Sequence, residues 1–184
     1  MINIEIDRPI FEDIELINDF FETVIRDTFE RNEMSHLVDL IADEMEDKRR
    51  FLHQDIESNG KNRYFLIAKE NDMIVGSIEY GPANELIISC TNRELKGLVE
   101  IGTVFVHPDY QKKGIASKMI NIIVEELEKK GIKELCLDSG YKSAQKFWIK
   151  KFGNPEYHLR DYWGTNADHM VWRVLIKNLK VGIR

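Results

Sequence analysis

The segment from Glu100 to Ser117 combines residue types that can bind an anion. A strand-like run precedes Gln111-Lys-Lys-Gly-Ile-Ala116, which leads directly into a helical pattern. The first amides of a helix have no internal partner and lie at the positive end of its dipole, so a pyrophosphate fits there. Gly114 allows the backbone to approach such a ligand closely, and Lys112 and Lys113 add positive charge. Neither a nucleoside-triphosphate P-loop nor a strand followed by Gly-x-Gly-x-x-Gly occurs in the chain.

Hydrophobic periodicity predicts the elements that position this loop. Alternation at Ile2, Ile4 and Ile6 indicates a strand, and an apolar stripe starting after Pro9 indicates a helix. A second helix is predicted to end at Asn59-Gly60. The next two apolar runs flank a polar turn and predict a hairpin. The first helical stripe consists of Ile14, Ile17, Phe20, Phe21, Val24 and Ile25. The second consists of Leu37, Leu40, Ile41, Met45, Leu52 and Ile56. The two hairpin strands are Tyr64–Ala68 and Met73–Tyr80.

The second half of the chain alternates between strands and helices. Residues 82–97 fit either a short strand or a loop anchor. A strand over 101–106, a helix from 115 to Gly131 and a strand around Leu135 follow. Ser143 is the predicted N-cap of a short helix, with strands near 157–159 and 169–176 after it. The order β-α-α-β-β-β-α-β-α-β-β predicts a single α/β domain with a mixed central β-sheet flanked by helices.

The run from Glu100 to Phe152 resembles the GCN5-related N-acetyltransferases (GNAT superfamily), which carry an acetyl group from acetyl-CoA to an amine. Gln111, Gly114 and Ala116 match the family's Gln/Arg-x-x-Gly-x-Gly/Ala motif, with Val106-His-Pro108 at the expected offset before it. The element order over residues 1 to about 176 is also similar. The resemblance implies an N-acetyltransferase domain over 1–176 and a C-terminal tail over 177–184.

The resemblance also implies how acetyl-CoA, the acyl donor, would bind. In such enzymes the amides of the loop and first helical turn hold the pyrophosphate, and the preceding strand splays from its neighbour to pair with the pantetheine arm. An amide of that strand, at Val106 here, would stabilise the negative charge on the thioester oxygen. The matching positions are Val104, Phe105 and Val106 for the arm and Lys112, Lys113, Gly114, Ile115, Ala116 and Ser117 for the pyrophosphate.

Acetyl transfer requires a neutral amine, whereas a lysine-like amine has a pKa near ~10.4. A carboxylate acting directly or through a water can accept the extra proton. Glu100 is the catalytic candidate, since many GNAT enzymes use a glutamate at the start of this strand. Glu79 on the hairpin competes with it, and a water chain suffices in some members. The structural alternative for Glu100 is a strand-end carboxylate in a surface ion pair.

The chain departs from the family at the general acid, which is often a tyrosine in an Asn-x-x-Ala-x-x-Leu-Tyr pattern. The sequence Tyr141-Lys-Ser-Ala-Gln-Lys-Phe-Trp148 places Trp148 at the tyrosine position. An indole cannot donate a proton at neutral pH, so Trp148 is predicted to pack against the cofactor arm. Tyr141 becomes the second catalytic candidate, its alternative being an ordinary turn tyrosine. A thiolate is also a fair leaving group unaided, because thiol pKa values lie near ~8.5.

The acceptor pocket in this family is built from the first two helices and the loop between the last two strands. That loop holds Asp161-Tyr162-Trp163-Gly164, and Tyr162, Trp163 and Glu79 are the predicted substrate-binding residues. Residues 1–60 carry 17 acidic and 6 basic side chains, which favours a cationic amine as the acceptor. The alternative for these carboxylates is the solvated faces of helices.

Composition limits the remaining classes. The 184 residues suit one domain, and the net charge of −6 disfavours a nucleic-acid partner. No apolar run is long enough to span a membrane and the start lacks the pattern of a secretory signal, which predicts a cytoplasmic protein. Cys90 and Cys136 are expected to be reduced, and the five histidines lack the spacing of a metal site. Pairing through an edge strand would give a homodimer.

The leading interpretation is an acetyl-CoA-dependent N-acetyltransferase that acts on a small-molecule, protein or peptide amine by direct attack on the thioester. Two alternatives belong to other classes. One is a catalytically inactive acyl-CoA-binding module of the same fold, which the tryptophan at position 148 favours. The other is an acidic partner-binding domain without a cofactor.

Overall fold

The strands and helices of a computed structural model, which describes residues 3–179, follow the predicted order closely. Among these residues the strands are β1 Glu5–Asp7, β2 Tyr64–Glu70, β3 Met73–Pro82, β4 Val99–Val106, β5 Glu134–Ser139, β6 Tyr157–Leu159 and β7 His169–Leu175. The helices are α1 Ile14–Arg31, α2 Val38–Ser58, α3 Glu85–Cys90, α4 Ile115–Lys129, α5 Lys142–Phe152 and α6 Ile176–Leu179. Single 3-10 turns cover Phe11–Asp13 and Pro108–Tyr110.

The strands form one sheet in the order β1-β2-β3-β4-β5-β7-β6. The β1–β2, β2–β3, β5–β7 and β6–β7 pairs are antiparallel, and β4 pairs with β5 in parallel. This is the mixed sheet flanked by helices that the sequence predicts. The predicted hairpin is confirmed, with Phe65 opposite Glu79 and the turn at Asn71-Asp72.

The chain divides into two compact units. Within the described residues the first unit holds 3–80 and 103–123. In it, Phe21 on α1 packs its ring 6.3 Å from that of Phe65 and 5.9 Å from that of Phe105. From α4, Met119 reaches Gly76 so closely that a Cβ there would lie 3.0 Å from its Cε atom. A glycine on β3 therefore allows close helix–strand packing.

The second unit holds residues 81–102 and 124–179. Its buried cluster combines side chains from α3, the segment after α3, β5 and β7, namely Ile87, Leu95, Cys136 and Val171. Burial raises the pKa of the Cys136 thiol to about 12, which keeps it in its neutral form. Cys90 is half-buried and, like Cys136, forms no disulfide within the described residues.

The structure corrects four predictions of local structure. Residues 85–90 form α3, because the Asn84 side chain accepts a hydrogen bond from the Ile87 amide at 2.8 Å and caps the helix. The N-cap of α5 is Tyr141 rather than Ser143. The first helix starts at Ile14, after a 3-10 turn, and Leu40 is 46% exposed rather than buried. Ile2 lies outside the described residues, as do 180–184 of the predicted tail.

Four of the twelve acidic side chains of α1 and α2 form ion pairs along their own helix. These pairs have the i,i+3 or i,i+4 spacing that stabilises a solvated helix face. For these residues the structure agrees with the alternative interpretation of the acidic N-terminal third. The pairs are Glu22 with Arg26, Asp27 with Arg31, Glu44 with Lys48 and Asp47 with Arg50.

Asp55 on α2 is a buried exception that predicts a pH dependence of stability. Its side chain is fully buried, accepts the Phe65 amide at 3.0 Å and lies 2.9 Å from the Arg8 guanidinium. Burial nevertheless raises the pKa of Asp55 to about 6. A pKa raised by folding stabilises the protein at low pH, and this stabilisation is lost as pH rises from about 4 through 6.

In the wild type, we therefore expect Asp55 to lower the free energy of unfolding by up to about 3 kcal/mol between pH 4 and 7. In Asp55→Asn this decrease should be absent. Urea unfolding of both proteins at several pH values measures this difference. Asp47→Asn, at an exposed ion pair on the same helix, is the matched control and should follow the wild type. Parallel stability profiles for wild type and Asp55→Asn would contradict the prediction.

Candidate active site

The central strand β4 is irregular at Thr103. This β-branched residue has a φ of +49°, in the left-handed region that such side chains rarely adopt. Two contacts with β3 hold it there: Ser77 Oγ donates to the Thr103 carbonyl at 2.9 Å, and Thr103 Oγ1 donates to Glu79 at 3.3 Å. A strained residue fixed in this way is typical of functional sites.

The ladder between β4 and β5 is short. In the described residues it comprises two pairs, Val99 with Leu135 and Glu100 with Cys136, although β4 continues to Val106. The predicted arm-binding residues Val104, Phe105 and Val106 all follow the last pair and are half-buried. These three residues therefore lie beyond the described pairs of the β4–β5 ladder.

The loop after β4 is anchored at Gln111. Its side-chain amide donates to the Val106 carbonyl at 3.3 Å and its oxygen accepts from Arg31 at 2.7 Å. Lys112 and Gly114 both have positive φ, of 62° and 82°. These two left-handed residues turn the chain into α4.

The turn ends at the N-terminus of α4, where the predicted pyrophosphate-binding residues lie. The Gly114 carbonyl accepts the Lys118 amide at 3.0 Å, so Gly114 occupies the N-cap position and Ile115, Ala116 and Ser117 form the first turn. Apart from Gly114 and its two chain neighbours, no described residue has an atom within 4 Å of where a Cβ on Gly114 would sit. The backbone of Gly114 is therefore open to close approach by a ligand. The exposed Lys113 places its ammonium 4.4 Å from the centre of the Tyr110 ring.

Glu100 is buried at the point where the β4–β5 ladder ends, and is 6% exposed. The Asn84 amide donates to one carboxylate oxygen at 2.7 Å, and the Asn84 side chain donates to the other at 2.9 Å. These bonds fix the orientation of the carboxylate. They also replace the surface ion pair considered for Glu100 with a buried contact to the N-cap of α3.

Glu79 lies in a different environment, inside the first unit. It is 1% exposed, and Arg63 Nη1 lies 2.6 Å from its Oε2. Burial raises the pKa of Glu79, and the Arg63 charge opposes this effect. Arg63 in turn stacks on Phe51, with its guanidinium carbon 3.8 Å from the ring centre. Glu79 therefore has a structural partner, and its binding of substrate stays a prediction.

The two aromatic candidates near α5 have different surroundings. Tyr141 is half-buried, and its amide donates to Ser139 Oγ at 3.3 Å. Trp148 is 6% exposed and packs between the rings of Phe147 and Phe152, whose centroids lie 4.9 and 5.5 Å away. The Trp148 indole is thus part of the packing of α5 itself.

The loop between β6 and β7 presents an aromatic pair. Tyr162 and Trp163 are 42% and 53% exposed, and their rings meet edge-on at 4.9 Å. The hydrogen bond between the Tyr162 hydroxyl and Cys90 raises the pKa of Tyr162. The Trp163 indole donates to His169 Nδ1 at 3.2 Å. Exposed aromatics held by such contacts are suited to ligand binding.

Sequence reasoning missed the residues that hold these candidates. Asn84, Arg63 and Thr103 have no distinctive signal, because an asparagine, an arginine and a threonine are common in such patterns. The hairpin register gives the one available hint. It pairs Tyr64 with Tyr80, so Arg63 and Glu79, which are the chain neighbours of these two residues, lie at the same end of the hairpin.

A cavity of about 610 Å³ also lies in the first unit, between α1, the β2–β3 turn and the turn after β4. Apolar side chains such as Leu16 and Met73 line it together with the carboxylates of Asp19, Glu70 and Asp72.

Among residues 3–179 no group of three or more histidine, cysteine or acidic side chains could hold a metal ion. None of the helices in this range has the length and apolarity of a membrane span.

Residues 19–153 match the acetyltransferase (GNAT) family. The chain belongs to the GNAT family of acetyltransferases. The matched range includes β4, the Gln111–Ala116 loop and α5, so the resemblance predicted from those residues is confirmed. No curated protein matches this GNAT chain in sequence.

Solved structures share its fold at low sequence identity. A GNAT-family protein from Desulfovibrio desulfuricans is 15% identical with a TM-score of 0.70, covering 95% of this chain and 99% of that one. The PaiA N-acetyltransferase of Thermoplasma acidophilum, in complex with coenzyme A, is 18% identical with a TM-score of 0.67 and coverages of 94% and 99%. The ribosomal-protein-S18-alanine N-acetyltransferase of Escherichia coli is 15% identical with a TM-score of 0.60 and coverages of 95% and 94%.

Proposed function

We propose that this GNAT protein is an acetyl-CoA-dependent N-acetyltransferase that moves the acetyl group to a primary amine by direct attack on the thioester. The observation that carries the proposal is the loop from Gln111 to Ser117. Its two left-handed residues lead into the first turn of α4 and leave open space at Gly114. The coenzyme A complex of the Thermoplasma structure, which has the same fold, supports this choice of donor.

The chain's own residues fit acetyl-CoA in two places. The amides of residues 112–117 would hold the pyrophosphate, with Lys112 and Lys113 adding charge. The backbone of Val104, Phe105 and Val106 would pair with the pantetheine arm, beyond the last β4–β5 pair. Trp148 is proposed to pack against the arm, as the family resemblance implies. The proposed domain covers residues 1–176.

In the reaction the amine nitrogen attacks the thioester carbonyl, forming a C–N bond, and the C–S bond then breaks. The Val106 amide would stabilise the oxyanion that forms between these steps. The amine loses one proton to Glu100, and the coenzyme A thiolate takes up a proton from Tyr141 or from solvent. No other reactant is required, because the acetyl group leaves the sulfur and arrives on the nitrogen in one transfer.

A cationic amine is the proposed acceptor class. The exposed Tyr162–Trp163 pair offers aromatic faces that attract ammonium groups. Asp161 and Asp168, which bracket the same loop, add negative charge. The Escherichia coli relative is an N-acetyltransferase of a ribosomal-protein alanine, so peptide amines belong in the acceptor screen beside small ones.

The test is a thermal melt with acetyl-CoA, using ATP and NADH as controls. At about 100 times its Kd a ligand adds roughly 2.7 kcal/mol, which for a chain of this size raises Tm by about 5 to 10 °C. A shift with acetyl-CoA alone supports the proposal, and release of coenzyme A thiol in the presence of amines then identifies the acceptor. No shift at saturating acetyl-CoA would reject both cofactor-dependent functions and favour the acidic partner-binding domain.

A second candidate function is a non-catalytic acyl-CoA-binding module. Trp148 favours it, since an indole occupies the position of the tyrosine that serves as general acid in the family, and this indole is buried against its own helix. Such a module gives the same thermal shift but releases no thiol with any amine.

A further inference from the structure

The side chain of Gln111 links the end of β4 to the loop that leads into α4. Its Nε2 atom donates to the Val106 carbonyl at 3.3 Å, and its Oε1 atom accepts a hydrogen bond from Arg31 Nη1 at 2.7 Å. The 3-10 turn Pro108–Tyr110 lies between Val106 and Gln111, so the first of these bonds spans the base of the turn. This bond therefore sets where the loop begins relative to β4.

The contact with Arg31 determines the orientation of the Gln111 amide. A guanidinium can only donate hydrogen bonds, so the amide atom that faces it must be the oxygen. The amide nitrogen then faces the Val106 carbonyl, which can only accept. Both contacts thus require the same orientation. Without Arg31 the amide could turn its nitrogen toward water, and the bond to Val106 would be lost.

Arg31 is oriented by contacts within α1, of which it is the last residue. The Met34 amide donates to the Phe29 carbonyl at 2.8 Å and fixes the end of the helix. Arg31 Nε lies 2.9 Å from Asp27 Oδ2, one turn earlier on the same helix. Because the carboxylate already holds the guanidinium, less side-chain entropy is lost when Arg31 contacts Gln111.

The end of β4 has a separate attachment to the sheet. The His107 amide donates to the Val75 carbonyl of β3 at 3.0 Å, a contact in which Gln111 takes no part. The loop into α4, by contrast, follows Gln111 directly. Loss of the Arg31 contact would therefore release the loop but leave the strand in place.

We propose that Arg31 is a positioning residue for the acyl donor: it fixes the Gln111 amide and, through it, the loop whose amides bind the pyrophosphate of acetyl-CoA. This inference rests on the proposed function, which assigns the pyrophosphate to that loop. A loop that is ordered before the ligand arrives binds it more tightly, because binding does not have to order the loop. Removal of Arg31 weakens donor binding and leaves the transfer step unchanged.

The test is isothermal titration calorimetry with acetyl-CoA on Arg31→Met, which keeps a long side chain but removes its charge and its N–H groups. Arg26→Met is the matched control, because Arg26 lies on the same helix and its Nε forms the same kind of pair, with Glu22 at 2.8 Å. In the described part of the chain Arg26 makes no hydrogen bond to the loop. We expect the Kd of Arg31→Met to rise about tenfold, as for the loss of a hydrogen bond to a charged group, and that of Arg26→Met less than about twofold. Equal Kd values in the two variants would overturn the proposal.

A double-mutant cycle with Gln111→Met distinguishes positioning from direct attraction between the Arg31 charge and a phosphate. If Arg31 acts through Gln111, then adding Arg31→Met to Gln111→Met should change the Kd by less than about twofold, since the two residues form one link. A tenfold loss in both backgrounds would mean that the charge acts on the ligand directly, and the positioning role would be wrong.

Steady-state kinetics give a readout that a merely structural role would not produce. Thiol release is measured with the amine that gives the fastest release in the acceptor screen. Arg31→Met should raise the KM for acetyl-CoA about tenfold and change kcat less than about twofold, because its proposed role ends at the pyrophosphate loop. A fall in kcat at an unchanged KM would contradict the proposal. A wild-type protein that does not bind acetyl-CoA rejects the proposed function itself, whereas wild-type affinity in Arg31→Met rejects only this inference.

Discussion

Glu100→Gln is expected to lower kcat by a factor of about 10² to 10⁴, while the Kd for acetyl-CoA changes less than about twofold. A positioned general base contributes a rate factor of this size, and the amide of Gln cannot accept the amine's proton. Gln is nearly the same size as Glu and can still accept one of the two Asn84 hydrogen bonds. Thiol release, measured at saturating acetyl-CoA and acceptor, gives the kinetic effect.

The control for this prediction is Asn84→Ala. It removes the side-chain donor to Glu100 and the N-cap of α3 but leaves the carboxylate in place. We expect it to cost about 1 to 2 kcal/mol of stability and less than about tenfold in kcat. If Glu100→Gln loses as much stability as Asn84→Ala but keeps the wild-type kcat, then Glu100 anchors α3 and is not the base. If Glu100→Gln binds acetyl-CoA and releases thiol at the wild-type rate, another group accepts the proton.

The loop before α4 and the start of that helix could be predicted from the sequence because the signals for them are local. The glycine, the two lysines and the helix that follows lie within a few positions, and each has a direct consequence for backbone conformation. The hairpin is equally clear, since two apolar runs lie on either side of the polar turn at Asn71-Asp72.

The partners of the candidate site could not be predicted, because the fold brings them together from distant parts of the chain. Asn84 meets Glu100 only once residues 85–90 form a helix, and the apolar run Leu86-Ile-Ile88 fits a strand equally well. The contacts of His169 depend on the β5–β7 register, which places Ser139 opposite Met170 and so brings Asp138 near His169. A histidine in an apolar strand gives no sign of such neighbours.

The strain at Thr103 shows a second limit of sequence reasoning. A threonine is a favourable strand residue, so the sequence predicts a regular β4. The positive φ is held by contacts with Ser77 and Glu79 on the neighbouring strand, which are 26 and 24 residues away. The irregular strand is expected only through the resemblance, which implies that this strand separates from its neighbour.

Gly114→Val is expected to weaken acetyl-CoA binding by at least about 30-fold, because it blocks the space in which first-turn amides would meet the pyrophosphate. The φ of +82° is unfavourable for a β-branched residue, and the new side chain would fill space beside Gly114 that no other described residue occupies, its chain neighbours aside. Both effects act on the pyrophosphate site, so the variant should also lose the rise in Tm caused by acetyl-CoA. Isothermal titration calorimetry with acetyl-CoA measures the Kd.

Gly131→Val separates the two effects of this substitution. Gly131 follows α4 and has a φ of +77°. As at Gly114, no described residue other than its chain neighbours has an atom within 4 Å of where a Cβ would sit. The two variants therefore carry a similar backbone strain of about 1 to 3 kcal/mol, and their unfolding midpoints without ligand should fall together. Only Gly114→Val should lose affinity for acetyl-CoA. Equal affinities in the two variants would mean that the pyrophosphate does not bind at the N-terminus of α4, and the proposed donor site would have to be abandoned.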